Sequence, residues 1–358
     1  MRDLDCTVLV FTYERPYHLS RAISYWEKSS IKVIIADGSK YAHNNIPDSI
    51  EYLHRPGVSV TERILELANN VKTKFAVFAA DDDFLGYEGL EQSIKFLDDN
   101  QGYSSAQGLY TQFRISKYSS KIITRPGNYC YANQYTWDDD NYANRLESIN
   151  KYKIMHYCYS VVTRDVLDSL CNLYSGIKDF SGSTLFEPLM AYSIAINGKV
   201  KTLKYFYCAR EVVESPDWLG IASFEGFIEN NTPEYRKFVG NVANECVNKH
   251  GEDRQKAVVV AEKAGHTFVS AMIKREKILK HNNISNEAHT YSDKVRHVIR
   301  SLIIYIKILF QELGVTSEKG LNKNYFFGDA GALSMYKRDW KRIKDCIKSS
   351  IKNDVPIR

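Results

Sequence analysis

The chain is short of the features that mark special compartments and special chemistries. It has no uninterrupted apolar run of about 18 residues, so no membrane-spanning helix is expected from it. The start, MRDLDCTVLV, lacks a basic segment followed by a long apolar one and a small-residue cleavage site, and no signal peptide is expected there. The seven cysteines (Cys6, Cys130, Cys158, Cys171, Cys208, Cys246 and Cys346) form no Cys-x-x-Cys pair, and no histidines stand near them at zinc spacing. An odd, unpatterned set of this kind predicts reduced thiols and a cytoplasmic protein. Repeats and low-complexity tracts are missing. A formal charge of +5 over 358 residues is too small to argue for nucleic acid as a partner.

What is present is an alternation of strand and helix signals. CTVLVFTY (6–13) is an apolar, β-branched run, and Leu19, Ala22, Ile23 and Trp26 follow at helical spacing. KVIIADGS (32–39) and SIEYLHRPG (49–57) are further short runs ending in turn signals. Ser59-x-x-Glu62 predicts a capping box opening a helix, after which FAVFAADDDF (75–84) runs apolar residues into three aspartates. A helix is predicted over 86–100, then strands and loops to about Tyr135. Next come helices in NRLESINKY and TRDVLDSLCNLY around a strand in MHYCYSVV, a helix PLMAYSIAI stopped by Asn197-Gly198, and a strand KVKTLKYFYCA. From about residue 226 the pattern is helical. The order β-α-β-β-α-β predicts a mainly parallel sheet covered by helices.

The chain contains two aspartate triplets. Asp138, Asp139 and Asp140 precede a helical pattern, where unpaired N–H groups and the helix dipole favour acids. Asp81, Asp82 and Asp83 instead end an apolar strand, the place where ligands bind in parallel α/β sheets. Three carboxylates repel unless a cation offsets them, and a hard divalent ion does so while leaving coordination sites for phosphate oxygens. The triplet is thus expected to be a metal and diphosphate site, with a solvated turn as the plain alternative.

TVLVFTYERPYHLSRAI, VIIADGS and VFAADDDF, in that order and spacing, resemble the donor-binding half of family-2-like glycosyltransferases of the GT-A fold. The resemblance covers about residues 6–100 and, more loosely, 150–210. It implies an α/β, Rossmann-like fold with a mainly parallel sheet flanked by helices: a transferase domain over 1–225 (donor half about 1–100, acceptor half about 101–225) and a helical region over 226–358. It also implies hexosyl transfer from a nucleotide sugar, a UDP-sugar favoured and a CMP-sugar possible, to a glycan or lipid-linked acceptor in bacterial surface polysaccharide or glycoconjugate synthesis.

Carried over by residue, the resemblance places Thr12, Tyr13, Glu14 and Arg15 around the nucleotide and lets Asp37 accept hydrogen bonds from the base. Arg63 stands where relatives carry an arginine facing the nucleotide, although about two residues farther from the acidic motif than is usual. Asp81 would lie near the ribose, Asp82 in the donor site where it could share the metal, and Asp83 would be the more direct ligand of Mn²⁺ or Mg²⁺, with Asp81 as a second ligand. A direct displacement with inversion needs a base for the acceptor hydroxyl. Glu187, eleven residues before Gly198 as in the family's Glu-Asp pair but with Phe186 in place of the first acid, is the candidate. A plain acidic helix start is its alternative, as helix start and turn are for Glu14-Arg15-Pro16 and Asp37-Gly38-Ser39. His156, Arg210, Asp217 and Trp218 are weaker candidates, with packed or ion-paired roles as their alternatives.

Two rivals remain open. A sugar-1-phosphate nucleotidyltransferase would open with a glycine-rich loop, which FTYERPYHL lacks, and a non-catalytic glycan-binding or membrane scaffold would not need all three motifs. In the C-terminal region basic residues outnumber acidic ones, and SMYKRDWKRIKDCIKSSI interleaves Trp340, Ile343 and Ile347 with lysines and arginines. That pattern fits either a peripheral contact with an anionic membrane or a packed helix with a solvated basic face.

Overall fold

The computed structural model describes residues 4–115, 122–126, 137–149, 154–177, 186–212, 233–267, 270 and 330–352. Nine strands form one sheet: β1 (Cys6–Thr12), β2 (Lys32–Asp37), β3 (Ile50–His54), β4 (Phe75–Ala80), β5 (Phe84–Leu85), β6 (Tyr103–Ile115), β7 (Ile122–Pro126), β8 (Val161–Thr163) and β9 (Lys199–Glu211). The helices are α1 (Pro16–Trp26), α2 (Val60–Asn70), α3 (Tyr87–Asp99), α4 (Tyr142–Ser148), α5 (Arg164–Tyr174), α6 (Phe186–Asn197), α7 (Pro233–His250) and α8 (Ala330–Lys352). A further helical stretch covers 254–267. Strand order is β3-β2-β1-β4-β8-β6-β9-β5, with β7 paired to β6.

Pairing is parallel from β3 through β4 and again between β6 and β9, while β8, β5 and β7 join antiparallel. The α/β sheet flanked by helices is as the sequence implies. Alternation along the strands explains the layering: Leu9, Ile34, Ala36, Ala76 and Phe78 enter one core with α2, α5, α6 and α7. Val8, Val10, Val33, Ile35, Val77 and Ala79 enter the other with α1, α3 and α8. Both faces of the sheet are therefore covered, which is what continuous apolar strands require.

Local expectations are mostly met, with instructive shifts. Ser59 and Glu62 do form the reciprocal capping box of α2. The segment around His156 is a 3-10 turn (Ile154–Tyr159), and only Val161–Thr163 pairs as a strand. The cap of α4 is Asn141, whose side chain accepts from the Ala143 N–H, while Asp139 accepts from the Asn141 N–H and Asp140 pairs with Lys199. The second aspartate triplet is thus engaged at a helix start.

Helix α8 packs its apolar side into the core: Trp340, Ile343 and Ile347 are buried with Phe113 and Phe206. The side that meets solvent carries Lys337, Lys341 and Lys348. The Trp340 stripe is thus unavailable for inserting into a membrane, because the core has taken it. Among the described residues no helix is long and apolar enough to cross a membrane. The run SLIIYIKILF and the segment bearing Asp217 and Trp218 lie outside the described residues.

Candidate active site

Strand register builds the site. Thr12 pairs level with Asp37, Asp37 with His54, and Phe11 with Ala80, so the ends of β1, β2 and β4 finish along one edge of the sheet. Beyond β4 the chain turns through Asp81–Asp83 into β5, which pairs with the end of β9 and brings Arg210 and Glu211 to the same edge.

The first loop is bound to its neighbours by named contacts. Thr12 Oγ1 donates to Asp81 Oδ2 at 2.7 Å. Tyr13 is 62% exposed, an aromatic ring left in solvent. Glu14 has φ of 52°, a left-handed conformation that costs a non-glycine residue about 1 kcal/mol or more. Its N–H donates to Ser39 Oγ, and its carboxylate accepts from the Lys40 N–H, both at 2.7 Å, so Glu14 ties the first loop to the second. Arg15 forks between Asp81 Oδ1 (2.6 Å) and Asp82 Oδ2 (2.7 Å).

Asp37 is buried; Oδ1 accepts from the Ser39 N–H at 2.8 Å and Oδ2 from the Tyr52 hydroxyl at 2.6 Å. Each oxygen keeps a further lone pair, so accepting from a ligand is compatible with these bonds. Arg63 is also buried, and it donates to the carbonyls of Thr12 (2.6 Å) and Val58 (3.3 Å). Its guanidinium lies where a Cβ on residue 38 would sit, 2.5 Å from Cζ, which explains glycine at that position. A further bond to the Ala36 carbonyl at 3.4 Å lets Arg63 join the ends of β1 and β2.

Asp83 Oδ1 accepts from the Glu211 N–H at 3.2 Å, while buried Oδ2 makes no hydrogen bond and faces Arg210 Nε at 3.1 Å as an ion pair. Burial pushes the carboxyls of both Asp81 and Asp83 up to about 7; Asp82 adds to this, and Arg15 and Arg210 respectively oppose it. His18, 3.9 Å from Glu211, is pushed down to about 4 by burial and then by Arg15 and Arg21, so its imidazole is neutral.

Glu187 lies in the first turn of α6, and Phe186, which begins the helix, packs edge-on against Phe11 of β1 and Phe78 of β4. That contact brings the start of α6 to the strand edge. Arg210 stacks over the Tyr159 ring at 5.3 Å. The Tyr159 phenol is raised by burial, with Arg210 opposing this and Asp83 and Glu187 adding to it. The structure brings Thr12, Arg15, Asp37, Asp81, Asp82, Asp83, Arg210 and Glu187 to one edge. The side chain of His156 lies outside the described residues.

Sequence reasoning missed Arg21 and Glu211. Arg21 is fully buried, pairs with Glu211, donates to the Asp82 carbonyl at 3.3 Å and lies over the rings of Phe84 and Tyr17. The available signal was its position, an arginine inside the apolar stripe of α1 between Leu19 and Ile23.

Among the described residues no three Asp, Glu, His or Cys side chains are grouped to hold a metal. Asp83 Oδ2, which makes no hydrogen bond but is ion-paired with Arg210, is the oxygen that a cation could contact only if Arg210 moved aside.

No protein-family model matches the sequence, and no curated protein matches it. Among solved structures the chain is similar to S. aureus TarS 1–349 in complex with UDP-GlcNAc, with a TM-score of 0.47 and 12% identity, covering 99% of this chain and 93% of that one. It is also similar to S. aureus TarS 1–349 in complex with UDP, with a TM-score of 0.46, 12% identity and the same coverage of 99% and 93%. Likeness at that level decides nothing about this chain, and chemistry has to come from the residues themselves.

Proposed function

We propose that this protein is a glycosyltransferase that moves a sugar from a nucleotide-activated donor to an acceptor hydroxyl. The observation that carries the reading is the alignment of Thr12, Asp37 and the Asp81–Asp83 turn at one sheet edge, with Arg15 and Arg210 poised on the carboxylates and Glu187 at the same edge.

In this reading Asp37 accepts an N–H of the base, and the exposed Tyr13 ring covers the base face. Arg15 and Arg210 carry the charge that a diphosphate would meet, and Asp81 stands beside the ribose. A Mn²⁺ or Mg²⁺ ion held by Asp83, with Asp81 behind it, would neutralise the departing diphosphate. Glu187 takes the proton of the acceptor hydroxyl as the acceptor oxygen bonds to the anomeric carbon and the bond from that carbon to the diphosphate oxygen breaks. One displacement inverts the configuration.

A uridine diphosphate donor and a glycan or lipid-linked acceptor, as in bacterial surface polysaccharide synthesis, belong to the same proposal. So does contact with an anionic membrane through the lysine side of α8. Calorimetric titration with UDP, GDP, dTDP and CMP, with and without Mn²⁺, tests the donor class. Saturable binding of one nucleoside diphosphate is expected, and no binding of any nucleotide would overturn the reading.

A further inference from the structure

Helix α3 begins four residues after Asp83, yet its cap position is Gly86, which has no side chain to accept from the first turn. The missing acceptor comes from far away in sequence. Both oxygens of Asp339, on α8, lie within 3.3 Å of the Glu88 N–H, and Asp339 is completely buried. Arg338 of the same helix pairs with the Glu88 carboxylate at 2.6 Å, and Arg342 stands 3.6 Å from Asp339. A Cβ on residue 86 would lie 2.5 Å from Asp339 Oδ2, so the glycine and the distant carboxylate fit each other.

This cap bears on the turn that carries the aspartates. Between Asp83 and Gly86 stands only β5, held to β9 through Phe84 and Leu85, and the Gly86 N–H donates to the Tyr207 carbonyl at 2.8 Å. A second tether runs from α8 to the other side of the turn. Cys346 Sγ contacts the Arg21 carbonyl at 3.6 Å, Arg21 pairs with Glu211, and the Glu211 N–H donates to Asp83 Oδ1 at 3.2 Å. A buried carboxylate is a costly way to fill space, and an apolar residue would pack α8 more cheaply. What the carboxylate adds is direction: it fixes where α3 starts.

We propose that Asp339 is a positioning residue of the donor site, and that α8 is part of the machinery that aims Asp81 and Asp83. The proposal rests on the glycosyltransferase reading, because it concerns the same aspartates.

The test uses the full chain. UDP binding with and without Mn²⁺ is measured by calorimetry for wild type, Asp339→Ala, Asp339→Asn, Gly86→Ala and the Gly86→Ala/Asp339→Ala pair. Asn141→Ala, which removes a cap at the start of α4, serves as the control for a simple loss of helix capping. Asp339→Ala is expected to weaken UDP binding roughly ten-fold or more, and Asp339→Asn, whose amide oxygen still accepts, to recover most of it. Gly86→Ala is expected to weaken binding alone but to add little once Asp339 is already alanine, whereas Asn141→Ala leaves affinity at the wild-type value. Hydrogen exchange over residues 81–90 should rise in Asp339→Ala and stay low in Asn141→Ala. If Asp339→Ala does not fold, the comparison of Asp339→Asn and Gly86→Ala with wild type carries the test. Wild-type affinity in the folded Asp339 and Gly86 variants would overturn the positioning role alone. A wild-type chain that binds no nucleotide would overturn the donor-site reading and this proposal with it.

Discussion

Arg15→Ala removes the fork that joins Asp81 to Asp82. Its guanidinium is 27% exposed while Asp81 is 3% exposed, so the lost ion pair lies between a surface and a buried one. Breaking a fully buried pair costs about 3–5 kcal/mol, and solvent screening at Arg15 brings the expectation to about 1–3 kcal/mol. The loss is bounded from above as well. The Asp81 carboxyl already stands at about 7, so without Arg15 it takes up a proton near neutral pH instead of remaining an uncompensated charge. For ligand binding, one charge-assisted hydrogen bond to a diphosphate is worth about 1.5–3 kcal/mol, which makes UDP roughly 10- to 100-fold weaker. Uridine has no phosphate and should bind the variant as it binds wild type. Arg15→Lys, a point charge without the fork, should fall between the two. Titration calorimetry with UDP, UMP and uridine, beside thermal melts of each variant, separates the effects. Equal loss for UDP and uridine would refute the reasoning, because it would mean that Arg15 acts only by holding the loop.

Glu187→Gln should leave UDP affinity unchanged while kcat falls roughly 10²–10⁴-fold, and NMR of the product should show inverted configuration; normal turnover would return Glu187 to a plain helix start. Asp83→Asn should abolish the Mn²⁺-dependent part of UDP binding, measured by calorimetry, whereas Asp139→Ala should leave it intact. For pH, Asp81 and Asp83 stand at about 7 in the folded chain against 3.8 for the free side chain, so the folded state holds more protons across that window. Stability is therefore expected to fall as pH rises from 4 to 7, while metal-dependent UDP affinity climbs as the carboxylates ionise; thermal melts and titrations in the same buffers should trend oppositely. Binding to anionic vesicles, if measured at low salt, should be lost on replacing Lys337 and Lys348 with glutamate and should leave Trp340 emission unshifted, because Trp340 is already in the core. An emission shift on binding would show that α8 undocks.

The fold was legible in the sequence where local patterns and tertiary needs agree. Apolar runs in β1, β2 and β4 could only be strands buried on both faces, and the Ser59–Glu62 box announced its own helix. The segment at 154–159 misled because its aromatic and β-branched run reads as a strand. In the structure it forms a tight turn packed on α6, with Tyr157 buried against Trp137 and the chain pairing only at Val161–Thr163. The apolar stripe of α8 was visible too, but a stripe does not say what covers it. The answer, Phe113 and Phe206, lies more than a hundred residues away.

The same limit governs the site. Acids and bases that belong to strand ends were readable, because the end of a parallel strand is a place that sequence can locate. Their partners were not. Arg21 meets Glu211 across 190 residues, and Asp339 caps a helix that starts some 250 residues before it. Such pairings exist only once β5 and β9 have brought their ends together, and no local propensity encodes them. They also decide how the readable residues behave. Asp83 faces Arg210 because β9 delivers it, and Asp81 can hold a proton near neutral pH because burial outweighs Arg15. A carboxylate in a motif therefore specifies what chemistry is available, while the distant arginines and the α8 cap set its charge and its aim. Substitutions at Arg21, Glu211 or Asp339 should accordingly alter donor affinity without touching a single motif residue.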